Sequence, residues 1–334
     1  MALTMAVVTL CVFYVVNLEP NLKKLALNQT HDQASEADVE TWLQTNGYRE
    51  PFLERYAQWV GVSPKEASLD PKTGMPVLKF GFCQGPMQRQ LSGLLEGNLG
   101  CSATFKVRVT DKIIPGLKAT GILMFWVLMV MIPSAVFFGV MAGMREGSRT
   151  DRTFSVLSII FTSTPEYVSG VIFTVIFASW LGWLNGSAAS ATSTAITIYN
   201  FTLPVMTLST FGTGYLARIT RASMAEVMMA QYIRTARLKG LTLPAIVIKH
   251  ALRNALIAPF TVIMMLFPWL LTGVVVVETM FRYQGFGYLL VQAAANNDID
   301  LLLSCSIVSV VIVLVTQLLS DVGYAFLNPR IRVQ

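Results

Sequence analysis

Charged residues are scarce in this sequence, and one long stretch has none. Asp, Glu, Lys and Arg make up 13% of the 334 residues, against 54% hydrophobic residues, and residues 167–217 contain no charged side chain. This composition, with a mean hydropathy of +0.56, is typical of polytopic membrane proteins. The net charge of +6 therefore does not indicate nucleic-acid binding. The positions of the basic residues are more informative than their number.

Motifs for catalysis and metal binding are also missing from the sequence. There is no G-x-x-x-x-G-K-[ST] phosphate loop, so we expect that the chain is not itself an ATPase. The two histidines, His31 and His250, fall on opposite predicted sides of the membrane, and no Cys and His residues have metal-ligand spacing. We expect no catalytic residue, no metal site and no cofactor in this chain. An integral membrane enzyme is a poor interpretation.

Cysteine is rare, with four residues in the chain. Cys11 and Cys305 lie inside apolar runs, whereas Cys83 and Cys101 lie in a polar region. If that region is extracytoplasmic, Cys83 and Cys101 could form a disulfide. Two unpaired thiols remain an equal alternative, because spacing alone does not determine pairing.

Several apolar runs approach or exceed the roughly 20 residues that a transmembrane helix needs. Residues 1–16 are interpreted as a short first transmembrane helix with a missing or very short cytoplasmic lead-in, because no cleavage site of a signal peptide follows. Residues 17–116 are polar, with helical patterns at 37–46 and 51–60. Residues 117–327 are predicted to form a core of five further spans. These are expected at 117–144, 154–184 (interrupted at Thr164-Pro165-Glu166), 196–216, 256–277 and 301–327.

Lysine and arginine are concentrated in alternate loops. The segment 218–253 holds seven basic residues and one acid, and further arginines occur in 144–153 and in the tail, 328–334. The positive-inside rule places these three segments in the cytoplasm, so both termini are cytoplasmic and 17–116 is a large extracytoplasmic loop. The predicted fold class is an all-α polytopic membrane protein with six transmembrane helices.

The basic segment 218–253 is predicted to form a helix, a turn and a second helix. Ser223 and Glu226 have the spacing of a capping box, which predicts a helix start at Ser223. Gly240 has the position of a left-handed helix end, and Pro244 fits the first turn of the second helix.

The membrane context makes DNA recognition by this helix pair a poor interpretation. A basic amphipathic helix resting on anionic lipid stays open. Its apolar stripe is only partial, however, and this favours docking into a groove of a protein partner.

The sequence QYIRTARLKGL, followed by HALRNALIAP, resembles the cytoplasmic coupling motif of permease subunits of ATP-binding-cassette (ABC) importers, in the dipeptide/oligopeptide branch. LARITRASMAEV, VVVVETMFRYQGFGYLLVQAA and DVGYAFLNPRIR resemble the same branch. The resemblance implies a type I importer permease of the bacterial inner membrane. It also implies a second homologous permease, two cytoplasmic ATP-binding subunits that hold ATP and Mg, and an extracytoplasmic solute-binding protein as partners.

The resemblance also implies roles for particular residues. An extra stretch, 63–95, departs from the family pattern, as does Gln231, where an acidic residue is common. The residues implied to couple the permease to an ATPase subunit are Gln231, Tyr232, Arg234, Thr235, Ala236, Arg237, Lys239 and Gly240.

Polar residues within the predicted spans are candidates for the translocation path. They are Thr164, Glu166, Tyr167 and Asn200, although each also fits a role in helix packing. A different class of function, an ATP-independent secondary transporter or channel that uses Glu166, stays open at this point. Within the importer interpretation, di- or oligopeptides are the expected solute, and nickel, oligosaccharides or opine-like compounds are the alternatives.

Overall fold

The computed structural model describes residues 2–30, 35–64, 67–69, 76–78, 93–191 and 196–327. Cys83, His31 and the tail 328–334 lie outside these ranges. The chain divides into two compact units. The first comprises residues 1–117 and 288–312, and the second comprises 118–287 and 313–334.

The first unit is built mainly from short helices that follow the first apolar helix. Its hydrophobic core contains Leu25, Leu43 and Leu303, each almost fully buried. The helices are α1 (Ala2–Val16), α2 (Glu19–Thr30), α3 (Glu36–Thr45) and α4 (Phe52–Val60), followed by the strands β1 (Ala67–Leu69) and β2 (Pro76–Leu78). The strands pair antiparallel. Both helices predicted from periodicity are therefore present, whereas α2 and the strand pair were not predicted.

Arg49 forms ion pairs with two of these short helices, α2 and α3, at the surface of the first unit. Its guanidinium contacts the carboxylates of Glu19, 2.7 Å away, and Glu40, 2.5 Å away. The hydrogen bond from Arg49 holds the pKa of Glu40 below its ordinary value. Since these groups are solvent-exposed, we expect the pairs to contribute little to stability.

The buried carboxylate of Asp298 explains why residues 288–312 pack with the N-terminal region. Asp298 accepts hydrogen bonds from the Ser102 hydroxyl and from the backbone N–H of Thr104, the latter at 3.0 Å. The Ser304 hydroxyl donates to the carbonyl of Leu99 at 2.9 Å. Residues 288–312 therefore belong to the first compact unit, through long-range hydrogen bonds that sequence periodicity does not reveal. The membrane core expected at 117–327 stays a prediction.

The second unit contains the long helices and the basic segment. Its helices are α5 (Thr110–Gly143), α6 (Arg149–Ser163), α7 (Glu166–Phe173), α8 (Ile198–Met228), α9 (Gln231–Leu238), α10 (Leu243–Ile246), α11 (Leu252–Ala255) and α12 (Ile257–Phe281). Helix α13 (Phe286–Ala295) begins at the end of this unit and lies mostly in the first, and α14 (Ile299–Leu327), like α5, begins in the first unit and continues into the second. Two π-helical segments, Thr174–Trp180 and Val247–Ala251, follow α7 and α10.

Helix α8 lies at the centre of this unit, and glycines allow its neighbours to approach closely. A Cβ on Gly214 of α8 would lie 2.7 Å from the Ser158 carbonyl of α6. On α5, a Cβ on Gly139 would lie 2.4 Å from Cβ of Thr220 in α8. Such contacts between small residues are the usual means of packing helices inside membranes.

Three helices, α5, α12 and α14, are each long and apolar enough to cross a membrane. The bent pairs α1–α2 and α6–α7 would raise this number to five if each were one span. The count of six is therefore not confirmed within the described ranges. Helix α8 is long enough, but it carries many hydroxyl side chains, such as Thr207 and Thr213, that are buried among its neighbours.

The expected third span is interrupted at Thr164-Pro165-Glu166, as predicted. Helices α6 and α7 meet at an angle of 107°. Thr164, the residue before Pro165, has an extended conformation (φ −92°, ψ 119°). This agrees with the steric exclusion of the helical region immediately before a proline, which ends α6.

Candidate functional site

The basic segment is held on the protein by the C-terminal end of α8. That helix runs without interruption to Met228, so the predicted helix start at Ser223 is wrong. The Ser223 hydroxyl instead donates to the carbonyl of Ala255 in α11 at 2.8 Å. The pattern Ser-x-x-Glu is thus used for a tertiary contact, and the next helix begins only at Gln231.

Helix α9 is anchored through one narrow face. Ile233 is fully buried and Ala236 is 6% exposed. Both pack in a hydrophobic cluster with Met224 and Met228 of α8 and with Ile246 of α10, among other residues. Because the two residues are three positions apart, they lie on the same side of the helix. This side faces the protein, so the opposite side faces outward.

The outward side of α9 carries most of the predicted coupling residues. Leu238 at its end is 81% exposed, and Tyr232 is 42% exposed. The phenol oxygen of Tyr232 accepts a 2.9 Å hydrogen bond from the Asn254 amide of α11. The exposed predicted coupling residues are Gln231, Tyr232, Arg234, Thr235, Arg237, Lys239 and Gly240.

Gly240 forms the turn after α9, as predicted. Its φ of +76° lies in the left-handed region, and no atom lies near the position of a Cβ. Thr242 then precedes α10, whose first turn contains Pro244. The chain continues through the π-helical segment and α11 into α12, so α9 is connected to α12 almost entirely through helical residues.

Glu166 lies at the bend between α6 and α7, beside α12. A Cβ on Gly273 of α12 would lie 3.0 and 3.1 Å from its two carboxylate oxygens. The side chain is partly exposed, and among the described residues no donor is hydrogen-bonded to this carboxylate. The glycine thus leaves space for a carboxylate that is open to a solute or to water.

The other path candidates differ in their surroundings. Tyr167 is 59% exposed. The Thr164 hydroxyl donates to the Ile160 carbonyl at 2.8 Å. Asn200 is buried and completes a capping box with Thr197 at the start of α8. These contacts give Thr164 and Asn200 local structural roles, and a role of either in the path stays a prediction.

Of the two cysteines in the polar region, Cys101 is disulfide-bonded. Cys11 and Cys305 are free thiols. Because Cys83 lies outside the described residues, the pairing of Cys83 with Cys101 stays a prediction.

We expect a peptide that joins Cys83 to Cys101 in a digest of the full-length protein under non-reducing conditions, because the polar region is predicted to be extracytoplasmic, where disulfides persist. Mass spectrometry after alkylation measures this directly. The Cys83→Ser variant serves as the control and should release an alkylatable Cys101. Alkylation of both cysteines in the unreduced wild-type protein would contradict the pairing.

Comparison with known proteins assigns the family. Residues 135–333, more than half of the chain, match the family described as "Binding-protein-dependent transport system inner membrane component". The matched range includes the whole basic segment and the bend at Glu166. The chain belongs to this family.

Named relatives agree with this assignment. The permease is 28% identical over 302 residues to the "Oligopeptide transport system permease protein AppB" of Bacillus subtilis, covering 89% of this chain and 86% of the relative. It is 35% identical to the "Probable peptide ABC transporter permease protein y4tP" of Sinorhizobium fredii, covering 72% and 78%. It is also 35% identical to the "Glutathione transport system permease protein GsiC" of Pectobacterium atrosepticum, covering 72% and 77%. The chain is thus a transmembrane permease subunit of an ABC importer.

Two acidic residues of the permease were missed by sequence reasoning. Glu278, which falls just after the predicted span 256–277, is fully buried near the end of α12 and accepts a hydrogen bond from the Thr120 hydroxyl. Its carboxylate lies so close to Gly285 and Gly287 that a Cβ on either would meet it. The two glycines spaced around Phe286 were a signal of this close approach.

Asp151 was also missed, because it lies in a short charged loop in the sequence. In the structure it is 4% exposed, and the Arg221 guanidinium donates two hydrogen bonds to it, at 3.0 and 2.8 Å. The backbone N–H of Gly147 donates to the same carboxylate at 2.9 Å. This bidentate pair fixes the start of α6 on α8 at Arg221, a residue of the basic segment.

Proposed function

We propose that α9 is the coupling helix of this permease and docks into a groove of a cytoplasmic ATP-binding subunit. The observation that carries the proposal is the arrangement of α9, in which Ile233 and Ala236 hold the helix on the permease while its basic outward side is exposed. A helix that is anchored on one side and free on the other can receive a partner without losing its attachment.

The same arrangement argues against a helix that rests on lipid. Insertion into the membrane surface requires an apolar face that is free to enter the acyl region. The apolar face of α9 is already covered by Met224 and Met228. The exposed surface mixes Tyr232 and Leu238 with three basic residues, and such a mixture is better suited to a protein groove.

A displacement of α9 can be transmitted to the helices around Glu166, a candidate residue of the translocation path. Its anchors share one hydrophobic cluster with α8, α10 and α11. Helix α12 follows α11 and carries Gly273, which adjoins the Glu166 carboxylate. We infer that closure of the ATPase subunits displaces α9 and, through this cluster, changes the helices around Glu166 in an alternating-access cycle.

The proposed assembly contains this chain, a second homologous permease, two cytoplasmic ATP-binding subunits and an extracytoplasmic solute-binding protein. In this proposal both termini are cytoplasmic, and ATP and Mg are bound by the ATP-binding subunits, whereas this chain binds no cofactor. The membrane lipid surrounds the apolar helices, and no nucleic acid takes part. The basic cytoplasmic loops support this orientation.

The proposed solutes are di- or oligopeptides. Three relatives are named for oligopeptides, peptides or glutathione. The partly exposed carboxylate of Glu166 is suited to the positively charged amino terminus of a peptide, because opposite charges attract strongly in a partly desolvated path.

Co-purification tests the proposal. The tagged full-length chain is isolated from its native membrane, its partners are identified by mass spectrometry, and ATP hydrolysis and peptide uptake are measured after reconstitution. We expect ATP-binding subunits and a second permease to be recovered, with uptake that requires ATP. A chain that transports peptide alone, without an ATPase, would overturn the proposal and favour a secondary transporter that uses Glu166.

A further inference from the structure

An open cavity lies between α5, α6 and α8 and is not used by the proposed coupling. Its volume is about 270 Å³. The stacked rings of Phe138 and Phe154, with centroids 5.1 Å apart, form part of its wall. Arg218, Arg221 and the nearly buried Ser158 supply polar groups to the same cavity.

The two arginines differ in their charge balance. Arg221 is already bound to Asp151 and lies 3.3 Å from a Glu146 oxygen. Arg218 is exposed, and no acidic side chain among the described residues pairs with it. The cavity therefore has one uncompensated positive charge, which favours an anionic occupant.

The position of the cavity indicates where this anion comes from. Ala142 lies one residue before the end of α5, and Phe154 lies five residues after the start of α6 at Arg149. These residues flank the predicted cytoplasmic loop 144–153, so the cavity lies at the depth of the lipid headgroups on the cytoplasmic side.

An apolar strip continues from the cavity along α6. Ile159 lines the cavity and is 52% exposed, and its neighbours Val156 and Ile160 are 55% and 51% exposed. Their spacing places all three on one side of the helix. An acyl chain can follow this strip while its headgroup enters the cavity. A soluble anion would gain nothing from it.

We propose that this cavity binds the phosphate headgroup of an anionic phospholipid from the cytoplasmic leaflet. Arg218 binds the phosphate, the stacked rings of Phe138 and Phe154 line one side of the glycerol, and the strip on α6 receives an acyl chain. Basic pockets between transmembrane helices on this side of a membrane are suited to such headgroups. The proposal does not depend on the identity of the transported solute.

Lipid retention tests this site. The full-length chain, with its co-purifying subunits, is placed in mixtures of phosphatidylglycerol and phosphatidylcholine, and the lipid kept per chain is measured by mass spectrometry. We expect phosphatidylglycerol to be preferred, and Arg218→Gln to reduce its affinity roughly tenfold, as expected for the loss of one charge-assisted hydrogen bond. Excess glycerol 3-phosphate should not displace the lipid.

Two further variants make the outcome decisive. Arg152→Gln removes an exposed charge of α6 from a residue that does not line the cavity, and it should leave retention unchanged. Ala222→Phe fills the cavity without changing any charge, and it should reduce retention even if Arg218→Gln does not fold. Equal retention of both lipids, equal effects of Arg152→Gln and Arg218→Gln, or displacement by glycerol 3-phosphate would overturn the proposal.

Discussion

Replacement of Gly240 by valine is expected to uncouple ATP hydrolysis from peptide uptake. Gly240 has a φ of +76°, and left-handed backbone costs roughly 1–2 kcal/mol for ordinary residues, with β-branched side chains tolerated worst. Since no atom lies near the Cβ position, the effect comes from the backbone alone. Relief of this strain would change the direction of α9. We therefore expect peptide uptake to fall about tenfold while ATP hydrolysis is preserved.

Two controls separate coupling from general damage. Gly97→Val places the same residue at the same φ of +76°, also in open space, but far along the chain from the basic segment. It should leave the ratio of uptake to hydrolysis unchanged. Gly240→Asn should retain most of the coupling, because asparagine tolerates left-handed backbone. Normal coupled transport by the Gly240→Val variant would remove the turn from the proposed mechanism.

Replacement of Asp151 by asparagine is expected to lower the free energy of unfolding substantially. Asp151 is nearly buried and receives both hydrogen bonds from Arg221, so its neutral variant leaves that guanidinium without its main partner. Removing one member of a buried pair costs about 3–5 kcal/mol. We expect the lower end of this range, about 3 kcal/mol, because the Arg221 side chain is 31% exposed.

Thermal unfolding in detergent measures this effect, and Glu146→Gln is the matched control. Glu146 contacts the same Arg221 at 3.3 Å, but its side chain is 53% exposed, so its loss should cost less than about 1 kcal/mol. The unfolding midpoint should therefore fall by roughly 4 °C for Asp151→Asn and by less than about 1.5 °C for the control, because the entropy of unfolding scales with the 334 residues of the chain. Equal shifts for the two variants would show that the buried pair contributes no more than a surface contact.

The local structure of the basic segment could be predicted well where the covalent structure of a residue decides the backbone conformation at that position. Gly240 forms the turn after α9 because glycine adopts left-handed backbone at little cost, and Pro244 lies in the first turn of α10 because its ring fixes φ and removes the backbone N–H. Pro165 similarly breaks α6 from α7. In these cases the required conformation depends on neighbouring atoms of the same chain, so one sequence is sufficient.

Predictions failed where burial by distant residues decides the structure. Ser223 has the sequence pattern of a helix start, yet α8 continues through it because Met224 and Met228 are buried against α10 and α11. Glu278 is polar enough to suggest a loop, but Thr120, more than 150 positions away, makes its burial tolerable. A single sequence contains no record of such pairs.

The sequence by itself determined the membrane class, the expected cytoplasmic side and the family, because apolar runs, basic loops and long motifs are properties of consecutive residues. The tertiary structure alone decided which side of α9 is anchored through Ile233 and that Glu166 adjoins Gly273. It also decided which of two nearby arginines, Arg218 or Arg221, keeps an uncompensated charge. These properties depend on atoms that packing brings together from distant parts of the chain. Their interaction energies arise only when the atoms are in close contact.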